Sequence, residues 1–177
     1  MRLIDFVFPD LVFLDLKATT RDGVIQEIIE GLVAADVVDS ADGPTVVKQI
    51  RRFEDHGFGG HMQGVARPQA KGPLIRRRCV AIGITCSPIP DFDAIDGIHV
   101  DIIALMCLPV PKTHGNYARM NLAVEALVEW TLLISRFQKA AELRDRLCKA
   151  RSREEVVALI AASPVEVPVW YAEPDGT

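Results

Sequence analysis

Apolar residues recur along this chain in two rhythms, one close to every second residue and one close to every third or fourth, and the change between them marks out the elements. LVFLDL at 11–16 alternates after a turn at Pro9-Asp10 and predicts a short strand. Thr19 or Thr20 can cap the helix that follows, in which Val24, Ile25, Ile28, Ile29, Leu32 and Val33 share one face. DSADG then breaks the chain ahead of Pro44, well placed as a first helical residue, and Val46, Val47, Ile50 and Phe53 form a second stripe. That helix carries Arg51, Arg52 and Glu54 toward the loop behind it. GVA at 64–66 predicts a short strand stopped by Pro68, CVAIGIT at 79–85 a buried one, and IHVDIIALMCL at 98–108 the longest. Residues 118–137 read as a helix with Trp130 on its apolar face, and two shorter helices close the pattern. The second of these opens on Ser152 and Glu155 at capping-box spacing. Strands interspersed with helices, without an internal repeat, predict an α/β (α+β-like) domain with helices packed on one central sheet.

The stretch that departs from both rhythms is HGFGGHMQGVARPQAK, from His56 to Lys71. Its four glycines and its mixture of imidazole, guanidinium, amide and ammonium groups suit a functional loop feeding a short strand. Composition narrows what such a loop serves. The chain has 177 residues, 49% of them apolar, which suffices for one core. With 20 basic and 24 acidic side chains and a formal charge of -4, it lacks the field that holds nucleic acid. Arg2, Asp5 and Asp10 leave no secretory signal pattern, and no charge-free apolar run reaches the ~18 residues of a membrane span, so a cytoplasmic protein without membrane insertion is expected.

Other chemistry-bearing residues have plainer readings. Cys79, Cys86, Cys107 and Cys148 lack CxxC spacing and read as reduced core residues. His56, His61, His99 and His114 match no metal motif, so neither metal nor cofactor is expected. His99 falls in IHVDII, where alternation puts it on one face with Asp101 and Ile103 as a partly buried, satisfied histidine. Arg76, Arg77 and Arg78 read as a solvated strand end. The carboxylates of DFDAIDG read as turn-shaping acceptors rather than metal ligands.

Taken in order, DLKATTRDGVIQEIIEGL, GVARPQAK, DFDAIDGIHVDIIALMCLPVP and LRDRLCKARSREEVVALI resemble the hallmark stretches of the fructose/mannitol class of phosphotransferase system IIA domains, which includes the nitrogen-regulatory IIA proteins. The resemblance implies a mixed central sheet flanked by helices over residues 1–162, with 163–177 as a C-terminal tail able to cover an apolar surface or support a homodimer. It also implies a phosphocarrier role. In such proteins a histidine takes a phosphoryl group from a small carrier protein and passes it to a sugar permease component, while regulatory relatives use the phosphorylation state to switch partners.

The motif that carries this chemistry is an apolar strand ending in Pro-His-Ala-Lys, and here it reads VARPQAK. Gln69 therefore occupies the place of the phosphorylated histidine. An imidazole nitrogen has a free lone pair and a pKa suited to transfer near neutral pH, whereas the Gln69 amide nitrogen has its lone pair delocalised into the carbonyl. The rim differs too, with Gly59 near the family's hydroxyl position, His61 near its isoleucine and Arg67 before the proline. Arg52 stands nearest to the family's assisting arginine, one residue away in an ungapped reading. His114 is a candidate for the family's second histidine, although a gapped alignment puts Glu129 or its neighbours there.

Three readings follow. The first is a regulatory or partner-binding relative of the phosphorelay that is not phosphorylated at Gln69. The second is an active carrier with a relocated nucleophile, His61 or His114. The third is anion or metal binding in the remodelled pocket, where Arg67 and Lys71 would hold a phosphate or carboxylate group.

Overall fold

The structure, a computed structural model, describes residues 6–56, 63–92, 94–110 and 141–162. Strand β1, Val7–Leu16, leads into helix α1, Arg21–Ala34, and helix α2, Gly43–Asp55. Two short strands follow, β2 at Val65–Ala66 and β3 at Gln69–Gly72, then β4 at Cys79–Ile89 and β5 at Val100–Pro109. Helices α3, Ala141–Cys148, and α4, Arg153–Ala162, complete the described elements.

The sheet is mixed, as expected. Its order is β1-β4-β5-β2, with β3 also on β5, in continuation of β2. β1 runs parallel to β4, β4 antiparallel to β5, and both β2 and β3 parallel to β5. Alternation along β5 divides the core between two faces. Ile103, Leu105 and Cys107 join the cluster formed with α1 and α2, whereas Ile102, Ala104, Met106 and Leu108 join that of α3 and α4. The result is three layers, helices on both faces of one sheet.

Local chemistry explains the starts of α1, α2 and α4. The Thr20 hydroxyl accepts from the Gly23 amide at 3.2 Å, capping α1. Val24, Ile25, Ile28, Ile29 and Leu32 are then buried, each worth about 1.5–3 kcal/mol against exposure. Gly31 permits the close seating of α1 on β1, since a Cβ there would stand 2.1 Å from Phe13 Cε1. Pro44 lies in the first turn of α2, and at α4 the Ser152 hydroxyl accepts from the Glu155 amide at 3.1 Å.

Several strand expectations change. Pro9-Asp10 is not a turn: β1 continues through it, with a register break between Val7 and Val12, as an edge strand tolerates. β2 does stop ahead of Pro68 as expected, but pairing with β5 resumes two residues later in β3, which the sequence did not predict. β4 outruns CVAIGIT and reaches Ile89, through a further irregularity after Ile84. At the start of β5, the amides of Asp101 and Ile102 both donate to the Gly64 carbonyl, at 2.9 and 3.1 Å. This bulge cancels the simple alternation predicted for His99, Asp101 and Ile103. Asp101 meets Arg144 of α3, and His99 is exposed rather than partly buried.

No helix among the described residues is long and apolar enough to cross a membrane. The helix expected over 118–137, Trp130, His61, His114 and the tail from Ser163 lie outside the described residues.

Candidate functional site

The site grows from the junction of α2 with the β2–β3 edge. Inward-facing Val46, Val47 and Ile50 anchor α2, and one turn beyond Ile50 the same face presents Glu54, only 7% exposed. Glu54 lies close enough to Arg67 to act on it electrostatically. Burial lowers the Arg67 guanidinium pKa, and the Glu54 carboxylate opposes that shift. The interruption at Arg67-Pro68 is thereby tied to the helix in front of it.

Beyond Pro68, whose carbonyl accepts from the Met106 amide at 3.1 Å, Gln69 pairs with Met106, Ala70 with Cys107 and Lys71 with Leu108. Paired residues of a sheet share a face, so Gln69 and Lys71 lie on the α3 and α4 side while Ala70 turns into the other core. Gln69 is half-buried, and its Oε1 is a buried acceptor without a hydrogen-bond donor among the described residues. Lys71 is exposed as a residue, yet desolvation lowers its ammonium pKa.

The structure thus places Gln69 and Lys71 on one face of the sheet, and Arg67, just ahead of them in the chain, beside Glu54 of α2. Arg52 lies apart from them on the outer side of α2, lining with Gln49, Phe53 and His56 an open hollow of about 250 Å³. His56 closes that end of the helix through Nδ1, 2.5 Å from the Arg52 carbonyl. Arg51, near the end of α2, pairs through Nε with Asp22 of α1 at 3.1 Å. Arg76 pairs with Asp36 and Asp39, and Arg77 with Asp10, so this strand end is ion-paired as well as solvated. Among the described residues no group of three His, Cys, Asp or Glu side chains is arranged to hold a metal ion.

Sequence reasoning missed the brace at the other end of the edge strand. Gln63 and Gly64 both adopt left-handed conformations, φ 55° and 74°, forming a tight turn into β2. Asp96 accepts from the Gln63 amide at 2.6 Å and from the Ile98 amide at 3.1 Å, and these backbone bonds hold its carboxyl below the usual range. Asp91 likewise accepts from the Arg21 amide at 2.8 Å, so two carboxylates of the acidic turn act as backbone acceptors. Against Gly64 stands the Asp101–Arg144 pair, 3.6 Å apart. Burial raises the Asp101 pKa and Arg144 counters it. Asp96-Gly97 was the readable signal of a turn here; its hold on a residue 33 positions earlier was not.

The architecture is an open mixed sheet between helix pairs, with a polar edge strand that follows a glycine-rich stretch of sequence. Residues 5–163 match the family described as phosphoenolpyruvate-dependent sugar phosphotransferase system, EIIA 2, and the chain belongs to that family. It is 24% identical over 160 residues to the nitrogen regulatory protein of Pseudomonas aeruginosa, covering 90% of this chain and 95% of that protein. Its fold is similar to the crystal structure of the nitrogen regulatory protein IIA-Ntr from Neisseria meningitidis, with a TM-score of 0.67 and 22% identity over 89% of this chain and 98% of the other. It is also similar to the mannitol IIA enzyme of Escherichia coli in its complex with phosphorylated mannitol IIB. There the TM-score is 0.60 and the identity 18%, covering 86% of this chain and 94% of the other.

Proposed function

We propose that this chain is a regulatory, partner-binding IIA protein that carries no phosphoryl group on β3. The observation that carries the reading is Gln69, whose amide stands on the edge strand at the place that the family resemblance gives to the phosphoacceptor. A histidine there would gain roughly two negative charges on phosphorylation. A glutamine stays neutral, and so presents partners with one fixed state.

The partner class follows from the family. The mannitol IIA enzyme of Escherichia coli binds a IIB protein, and we infer that this chain likewise engages a carrier or regulatory protein. An apolar contact is available for it. Ile95 and Ile98 are 75% and 41% exposed on the turn that Asp96 pins, and an exposed apolar pair on a fixed turn suits docking.

The experiment is intact-mass spectrometry, at alkaline pH, after incubation with phosphoenolpyruvate and the general phosphotransfer proteins of the host. The expected result is no mass gain in the wild type and a gain of one acid-labile phosphoryl group in Gln69→His. A wild-type gain abolished by His61→Ala or His114→Ala would overturn the reading in favour of a carrier with a moved nucleophile. Tight phosphate binding lost in both Arg67→Gln and Lys71→Gln would favour an anion site instead.

A further inference from the structure

Cys79 opens β4, and Cys107 is its direct partner on antiparallel β5. Both side chains point into the core beneath α1 and α2, with exposures of 1% and 0%. Directly opposed residues of an antiparallel pair have Cα atoms about 4.5 to 5.5 Å apart, within the span that a disulfide bridges. The strand register already sets the two cysteines opposite each other.

The surroundings distinguish the two thiols. Cys79 Sγ lies 3.6 Å from the Arg77 carbonyl. The adjoining Cys107 thiol and the nearby Arg77 guanidinium draw the Cys79 thiol down, while the adjoining Cys79 thiol and complete burial push the Cys107 thiol up. Arg77 is held in place by Asp10 at 3.0 Å and by the Phe8 ring, 4.7 Å below its guanidinium carbon. The positive charge is therefore a fixed part of this corner of the sheet.

We propose that Cys79 and Cys107 form a reversible cross-strand dithiol/disulfide site, oxidised by low-molecular-weight disulfides. The Cys79 thiolate attacks one sulfur of the reagent; that S–S bond breaks, a mixed disulfide forms at Cys79, and the first small thiolate leaves and takes a proton. Cys107 then loses its proton and attacks the Cys79 sulfur, and the second small thiol departs. The protein dithiol is oxidised by two electrons and the reagent is reduced to two thiols. Cys107 also lies opposite Ala70 on β3, so the new bond would lock β4 to β5 immediately beside the strand that carries Gln69 and Lys71. That places a redox-dependent constraint next to the edge offered to partners, independently of whether phosphoryl transfer occurs there.

The test uses the full chain with excess oxidised glutathione, N-ethylmaleimide quenching under denaturing conditions, and peptide mapping without reductant. The expected result is a Cys79–Cys107 linked peptide, two hydrogens lighter than its reduced parts, reversed by dithiothreitol. It should be absent from Cys79→Ala and Cys107→Ala and retained in Cys148→Ala. Recovery of both Cys79 and Cys107 as N-ethylmaleimide adducts, with glutathione found only at Cys86 or Cys148, would overturn the proposal. Because mapping of the wild type decides this alone, a cysteine variant that failed to fold would leave the test intact.

Discussion

The two ends of one edge strand are built on opposite principles. At its entry, Gln63 and Gly64 are fixed by a carboxylate on a backbone amide, two amides on one carbonyl, and an ion pair pressed against the glycine. At its exit, Gln69 keeps a buried carbonyl oxygen without a donor among the described residues, and Lys71 has its ammonium desolvated. Such a contrast separates frame from chemistry: the entry sets where the strand lies, and the exit keeps polar groups that the fold does not consume.

Breaking the entry should have the largest effect. Gly64 has φ 74°, and a Cβ there would stand 2.8 Å from Arg144 Nη2 and 3.1 Å from Asp101 Oδ1. Gly64→Ala therefore combines left-handed strain with displacement of a half-buried ion pair, and a loss of about 2–3 kcal/mol is expected in equilibrium urea denaturation. A midpoint equal to wild type would show that the turn is not braced by this packing.

The exit should respond with the opposite sign. Leucine is close to glutamine in volume and leaves no acceptor to satisfy, so Gln69→Leu is expected to stabilise the chain by about 1 kcal/mol in the same assay. A loss of stability would mean that the amide is held by hydrogen bonds and belongs to the frame. Read together, the two variants test whether stability and function have been divided between the ends of a single strand.

How much of this was legible in the sequence follows from the range of each interaction. α1, α2 and α4 were readable because their caps and stripes are local: Thr20 acts three residues ahead, Ser152 likewise, and the buried positions repeat at helical spacing. β5 was readable as an apolar run. The errors came where a distant neighbour overrode a local signal. Pro9 looks like a strand terminator, but it lies at an edge of the sheet, where a missing amide donor costs little. The face assignment of Asp101 failed because the bulge depends on the Gly64 carbonyl, 37 residues earlier in the chain. At the site, Gln69 and Lys71 were identified by motif and do share a face. The Arg51–Asp22 pair was not readable, because nothing in a helical pattern shows that a carboxylate of another helix will meet it.

A milder way to loosen the entry is to titrate it. Asp96 is fully exposed, and its bonds to the Gln63 and Ile98 amides depress its carboxyl pKa. A group depressed in the fold stabilises it above the unfolded pKa and loses that contribution as pH falls through the folded one. The Gln63 amide resonance should therefore hold its position from neutral pH down through the ordinary carboxylate range and move only below it. In Asp96→Asn that movement should vanish. A Gln63 amide that shifts at the ordinary Asp pKa would show that the bond is not maintained in solution.

The gentlest probe leaves the fold intact and reads the brace from behind. Cys148 ends α3, and desolvation together with the charges of Asp101 and Asp145 pushes its thiol up to about 11, while Arg144 acts the other way. The thiol is raised in the fold, so its contribution to stability is complete below the unfolded pKa and fades as pH rises through the folded value. Alkylation of Cys148 by iodoacetamide should accordingly reach half its limiting rate near pH 11, well above an ordinary cysteine. Removing one charge at a time then separates electrostatics from mere exposure. Asp101→Asn should lower the midpoint and Arg144→Gln should raise it, because the two charges act on the sulfur with opposite sign. If both substitutions lowered it, each would simply be opening α3 to water, and the ion pair against Gly64 would be a packing feature rather than the source of the field that Cys148 feels.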